Sequence, residues 1–434
     1  MKSLSSRRQF LQSSCVAAGT LCLTGGWRSR PAARVRSPND RLNIGVVGVS
    51  EYGRSHLEEC VQENVVALCD VDTLTLDAAS QEFPKAAVYT DFRRMLDREP
   101  LDAIIVATPD HTHAVVSAWS LQAGMHVFCA DPLAHTVSEA RMLSYWARRR
   151  KRITQLGGNV TSPATEDRVL EVLRSGELGP VTRVHAWTDR SYGELSPGAS
   201  ATTLPVPRHL DYDLWLGPHY PVPYCADYLP GRWRHWWNFG GGTLAAAGSP
   251  YFSLIHRGLA LEAPLRVQAM GPALHLKHPP SWLHSNWSYS FKEPQPSVEV
   301  HWYHGTARPP QFTNPLINNA PEGVVFCGTA GDLLVSPSGA HLSLSGQPVR
   351  DLSAEASAGN RKSRLCEWLE ACRSLAATSC PFEVAAPMTE SLLLGNVAYR
   401  TDRKLVWNAR KMVASNLPEA SEYVQHSYRP GWWV

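Results

Sequence analysis

At 434 residues the chain is too long for one compact core, and its 44% hydrophobic and 19% charged residues mark it as globular rather than disordered. Formal net charge is +3, but seven basic residues and no acid fall within 1–39, so residues 40–434 carry −4. A mildly acidic body excludes a general electrostatic case for nucleic-acid binding.

The first segment reads Ser6-Arg7-Arg8-Gln9-Phe10-Leu11-Gln12 and is followed by a short, weakly apolar run from Cys15 to Leu23. A twin-arginine start ahead of such a run resembles a bacterial Tat export signal, so a periplasmic or otherwise exported protein is expected. The run is too short to span a bilayer comfortably, and no stable membrane span is expected once the signal is removed. Ten cysteines occur, two of them within this segment. The rest form no CxxC pair and no zinc spacing, so no metal site is expected. Buried free thiols are the simplest expectation; a disulfide among Cys366, Cys372 and Cys380 stays open.

From Arg41 the pattern becomes regular. Apolar strands are predicted at Leu42–Gly48, Val65–Val71, Ala86–Tyr89, Asp102–Thr108, His126–Cys129 and Ile153–Gly157. Helices fall between them, to about Glu63, over Thr73–Phe83, up to Gly124, and from Thr136, where Glu139 completes a capping-box pattern. Strands apolar on both faces and alternating with helices predict a doubly wound α/β domain over about 40–160. Residues 1–38 are left as signal and linker, and 161–434 as a second domain.

That second domain starts with a helix at Ser162-Pro163. A strand is predicted at Val181–Trp187, then a loop-rich, aromatic stretch over Tyr192–Tyr228. Strands near Leu265–Met270, Ser297–His304, Val324–Cys327 and Asp332–Val335 predict a large, mostly antiparallel open sheet, and Ala385–Tyr399 reads as a helix.

The turn after the first strand reads Gly45-Val-Val-Gly48-Val-Ser50-Glu-Tyr-Gly53. A dinucleotide fingerprint wants Gly-x-Gly-x-x-Gly between strand and helix. Gly48 and Gly53 fill the first and third positions, and Ser50 replaces the second glycine. Asp70 ends the second strand, where a carboxylate accepts ribose hydroxyls and repels a 2′-phosphate; NAD is therefore expected rather than NADP.

Val106-Ala-Thr108-Pro109-Asp-His111-Thr-His113 and His126-Val-Phe-Cys-Ala130-Asp131-Pro132-Leu133 then resemble the Gfo/Idh/MocA family of sugar and cyclitol oxidoreductases. Leu210–Pro218, Trp233–Gly242, Leu392–Thr401 and Tyr428–Trp432 extend the likeness, which is greatest to the exported, Tat-directed branch. The resemblance implies a Rossmann domain, a sheet domain, and a pocket between them. It implies nucleotide contacts from Gly48, Ser50, Gly53, Asp70, Thr108, Pro109, His111 and His113, with Asp131 in the loop that touches the nicotinamide ribose. It also implies a small carbohydrate-like ligand and a homo-oligomer.

Three positions depart from the family. Its members carry Glu-Lys-Pro where this chain has Ala130-Asp131-Pro132, so the lysine that helps tune proton transfer is an aspartate here. After the glycine-rich turn the family places an aspartate and a histidine four residues apart; Ala246 and Pro250 hold those positions. Hydride transfer from an alcohol needs a base for the hydroxyl proton, and neither alanine nor proline moves one. Asp131, His111, His135, Tyr192, Tyr251 and His256 are candidate substitutes. The cluster Tyr212, Trp215, Tyr224, Tyr228, Trp233, Trp236 and Trp237 either stacks on a sugar or packs its own loop. Three functions follow: a cofactor-bound carbohydrate binder without ordinary turnover; a sugar dehydrogenase or NAD-dependent redox glycosidase with another base; or a scaffold that has lost the cofactor.

Overall fold

The computed structural model describes residues 40–193, 203–229, 231–290, 296–356 and 362–434. The twin-arginine segment lies outside them.

The first sheet is parallel and six-stranded, in the order β3-β2-β1-β4-β5-β6. Its strands are β1 (Asn43–Val47), β2 (Asn64–Cys69), β3 (Ala87–Tyr89), β4 (Ala103–Val106), β5 (His126–Cys129) and β6 (Thr154–Leu156). The central strands are buried on both faces, as their unbroken apolar runs require. Helices α1 (Glu51–Glu59), α2 (Thr73–Glu82), α3 (Phe92–Arg98), α4 (Asp110–Gln122) and α5 (Val137–Arg150) make the crossovers. The capping box read from Thr136 and Glu139 is formed in both directions and starts α5. The strand order reverses between β1 and β4, and in such sheets the crevice beyond the strand ends at this point is the binding site.

Beyond β6, α6 (Pro163–Ser175) leads into the second sheet, of ten strands, ordered β14-β13-β12-β11-β7-β10-β9-β8-β15-β16. Its centre is β7 (Val181–Thr188), which pairs parallel with β10 (Val298–His304) and antiparallel with β11 (Glu322–Gly328). On one side β9 (Leu283–Tyr289) and β8 (Arg266–Met270) follow; on the other, β12 (Gly331–Ser336) and β13 (Gly339–Leu344). The short strands Arg350–Asp351, Leu405–Asn408 and Val413–Ala414 complete the edges as β14, β15 and β16. All pairs except β7–β10 are antiparallel, so the expected mostly antiparallel sheet is present.

One face of this sheet is covered by α7 (Gly242–Leu259) and α9 (Phe382–Thr401). Trp287 and Trp302 are fully buried beneath them, and the Trp287 indole donates to the Ser391 carbonyl at 2.7 Å. Packing is close enough that a Cβ at Gly395 would sit 2.6 Å from Trp287. Helix α8 (Arg364–Ser374) returns to the first sheet, where Leu365 and Trp368 join the core of β1, β4 and β5. The chain thus crosses back to its beginning, and the two sheets share supporting helices.

The eight cysteines from Cys60 to Cys380 are free thiols, which removes a bridge among Cys366, Cys372 and Cys380. Among the described residues no helix is long and apolar enough to cross a membrane.

Candidate active site

A cavity of about 900 Å³ runs from the glycine turn after β1 to the side of α7. At its nucleotide end the backbone dictates residue type. Gly48 has φ +84, and a Cβ there would lie 2.6 Å from the Ala107 carbonyl oxygen. At Gly53 a Cβ would meet the Gly48 carbonyl oxygen at 1.9 Å, so α1 approaches the strand only over a glycine. Ser50, at φ −85, needs no such freedom; it caps α1 without a side-chain hydrogen bond, and its exposed side chain lines the cavity. The first amides of α1 are thus available to an anion. Asp70 accepts from the backbone N–H of Val49 at 2.9 Å and of Asp72 at 3.0 Å. Burial raises its pKa while those bonds hold it down.

Next along the cavity come Thr108, Pro109 and His113. Both His113 ring nitrogens lie 2.7 Å from carbonyl oxygens, those of Pro132 and Thr108. Carbonyls only accept, so the ring satisfies both by donating twice, as an imidazolium. Burial opposes that charge, but the Cys129 sulfur, the Asp110 carboxylate and the Pro132 carbonyl outweigh it and push the pKa to about 10. Asp110 is buried and accepts from the Gly241 N–H at 3.1 Å, and the Gly241 carbonyl in turn accepts from Asn396 at 2.8 Å. The start of α4 and the glycine turn before α7 are thereby stapled together.

His111 departs from the cofactor contact expected of it. Its ring is buried, 2.9 Å from the Trp215 carbonyl and 3.3 Å from that of Phe239, and it is not among the residues lining the cavity. Burial lowers its pKa to about 4. Gly53 shapes the turn without lining the cavity itself.

Asp131 faces the middle of the cavity against Gly158, where an added Cβ would be 2.8 Å from its Oδ2. Burial raises its pKa, opposed by a backbone hydrogen bond, Arg364, His113 and Arg234. Ala246 and Pro250 line the far end on α7, beside Tyr251, Tyr192, Arg190, Arg234 and Glu322. Arg190 pairs with Glu322 at 2.9 Å. Burial, then the Glu322 charge, raise the pKa of Tyr251, which stays a neutral phenol. Of the candidate bases, Asp131, Tyr192 and Tyr251 are brought together here. His256 is buried between the Leu261 carbonyl and the Tyr289 hydroxyl, and neither it nor His135 is among the lining residues.

The aromatic cluster packs mainly on itself. Trp215, Tyr224, Tyr228, Trp233 and Trp236 form one core with Phe239, each at most 8% exposed, while Trp237 joins the main core. Trp215, Tyr224 and Trp233 also reach the cavity wall.

Two family models match the chain. The oxidoreductase-family NAD-binding Rossmann fold covers residues 42–157, and the family's C-terminal alpha/beta domain covers 183–291. The chain belongs to the Gfo/Idh/MocA family. A glycosyl hydrolase family 109 protein from Shewanella sp. (strain MR-4) is 35% identical over 150 residues, 32% of this chain and 33% of that protein. An alpha-N-acetylgalactosaminidase of Shewanella oneidensis is 34% identical over a similar share. The match therefore spans about a third of these curated relatives. Among solved structures, the WlbA dehydrogenase complexed with NADH and UDP-GlcNAcA superposes with a TM-score of 0.64 at 16% identity, over 87% of this chain and 99% of that one. An inositol dehydrogenase homolog from Azotobacter vinelandii, complexed with NADH and myo-inositol, gives 0.59, also at 16%, over 87% and 99%. At such identity these two speak for the fold alone.

As a Gfo/Idh/MocA member, this chain has the family's NAD-binding Rossmann domain and its C-terminal alpha/beta domain. The sequence did not point to Arg190, Arg234, Glu322 or Tyr52 as cavity residues. Arg190 and Glu322 are common polar types in segments without a motif and are brought here by the second sheet, while Tyr52 lies within the glycine turn and Arg234 within the Trp233–Gly242 stretch, where neither was read as a cavity residue.

Proposed function

We propose that this protein holds NAD(H) and binds a sugar, cyclitol or glycoside, without the family's lysine–aspartate–histidine route of alcohol oxidation. The observation that carries this reading is the continuity of one cavity from the Gly48–Gly53 cradle and Asp70 to Ala246 and Pro250. The glycine contacts at one end fit a dinucleotide; the alanine and proline at the other have no proton to move. Gly48, Ser50, Gly53 and Asp70 would hold the pyrophosphate and adenosine ribose, and Thr108, Pro109, His113 and Asp131 would flank the nicotinamide half. NAD would supply a hydride acceptor. The chain's own cations, Arg190 and Arg234, and its phenols, Tyr192 and Tyr251, suit hydroxyl-rich ligands. The twin-arginine start favours export with the cofactor already loaded, since that route carries folded proteins.

A second reading rests on Asp131. A cavity carboxylate with a raised pKa is a general base tuned toward neutral pH. Oxidation of a sugar, including the transient oxidation of a redox glycosidase, would then run with Asp131 taking the hydroxyl proton. The test is to load the full chain with NAD and follow NADH formation and glycoside cleavage over a panel of sugars, cyclitols and aryl glycosides. The first reading predicts ligand-induced thermal shifts without NADH or aglycone. Turnover abolished by Asp131→Asn would replace it with the second.

A further inference from the structure

Away from the cavity, His135, His219 and His426 converge so that one ring nitrogen of each lies within 4.8 Å of the others. They come from three distant parts of the chain: the loop before α5, the loop after the short helix Tyr212–Leu216, and the C-terminal tail. None is among the residues lining the cavity.

We propose that these three histidines form a binding site for a single divalent cation of the zinc class, which clips the C-terminal tail and the 217–225 loop to the segment that follows Asp131.

Three observations support it. The Nδ1 of His135 is buried and has no hydrogen-bond partner among the described residues, a costly state for a polar atom unless a ligand takes its lone pair. The three segments are fixed by contacts other than the histidines. Arg429 donates to the Gly217 carbonyl and its backbone N–H to the Pro218 carbonyl, tying tail to loop. The Tyr428 hydroxyl donates to Glu139 at 2.6 Å, tying tail to α5, while Glu139 also accepts from the His135 N–H. Finally, the Glu139 carboxylate acts on His426 and provides the negative charge that a metal–imidazole site recruits in its surroundings. Arg400 also faces the rings, with its guanidinium spread over Tyr423 and Trp237.

Three imidazoles and no thiolate or carboxylate among the ligands suit Zn²⁺, with a water as fourth ligand. Nitrogens around tetrahedral zinc are about 3.3 Å apart, so closure from the observed separation asks only for small ring rotations. Histidines this far apart in sequence form no spacing motif, which is why the sequence predicts no metal.

The test uses the full chain without an affinity tag. It is incubated with Zn²⁺, dialysed, and assayed for metal by mass spectrometry, beside His219→Gln and His426→Gln. In parallel, Co²⁺ is titrated into metal-free wild type and its visible absorption followed. The proposal expects about one zinc per wild-type chain, loss of that zinc in both variants, a tetrahedral Co²⁺ band displaced by Zn²⁺, and a thermal midpoint that falls on adding EDTA. Wild type that retains no zinc and gives no Co²⁺ band overturns the proposal, as does zinc held equally by correctly folded variants. Should the variants fail to fold, the wild-type cobalt spectrum and zinc content alone decide.

Discussion

The two ends of the cavity have been treated differently. At the nucleotide end, backbone sterics require Gly48 and Gly53, and Asp70 is locked by two amides. At the α7 end, Ala246 and Pro250 line the wall, with the polar groups Arg190, Glu322 and Tyr251 around them. The difference teaches that the two ends are specified in different ways: the glycine turn is dictated by backbone sterics, while the far end is set by side chains that the fold of the second sheet brings together.

The largest expected effect comes from the cradle. Gly53→Val drives a branched side chain into the Gly48 carbonyl and costs about 3 kcal/mol or more; urea unfolding together with nucleotide content checks both fold and site. A variant that unfolds normally and still binds nucleotide would break the comparison at its stronger end.

His113→Leu comes next. It strands the Pro132 and Thr108 carbonyls and removes a buried charge, for about 2–4 kcal/mol. Its folded pKa, about 10, exceeds the ordinary 6.5. The ring's contribution is therefore full below the ordinary value and lost as pH rises through about 10. The stability gap between wild type and variant should narrow across that window, as measured by denaturation at several pH values.

At the other end, substitution should be gentle. Pro250 lies inside α7, where it lacks the N–H that would donate to Ala246. Pro250→Ala restores that bond and should raise stability by about 1 kcal/mol or more without changing nucleotide content; calorimetry and nucleotide release measure the two. The smallest effect is that of Asp131→Asn. Burial raises the folded pKa of Asp131, so wild type loses stability as pH rises from the ordinary carboxylate range through the folded value. The variant should therefore be slightly the more stable at neutral pH and lose that advantage in acid.

Much of this was legible in the sequence. The central strands of the first sheet were marked by continuous apolar runs, and the Thr136–Glu139 cap by its spacing. The second sheet was harder. In β9, His284, Asn286 and Ser288 face outward and dilute the apolar alternation of Leu283, Trp287 and Tyr289. The helix α3, of seven residues, carried too few turns for a clear period. The turn at Gly48 and Gly53 was readable because local backbone geometry demands glycine there. His111 was misplaced because a motif position does not say which way a helix turns its ring, and Arg190 and Glu322 meet only through the pairing of β7 with β11.

The most direct test is to purify the full chain, denature it, and assay the released supernatant for NAD(H) and NADP(H) by mass spectrometry. An intact cradle predicts NAD(H) near one equivalent per chain, and little NADP(H) because Asp70 repels its 2′-phosphate. No nucleotide, with no thermal shift on adding NAD, would contradict the account and leave a scaffold that has lost both ends of its site.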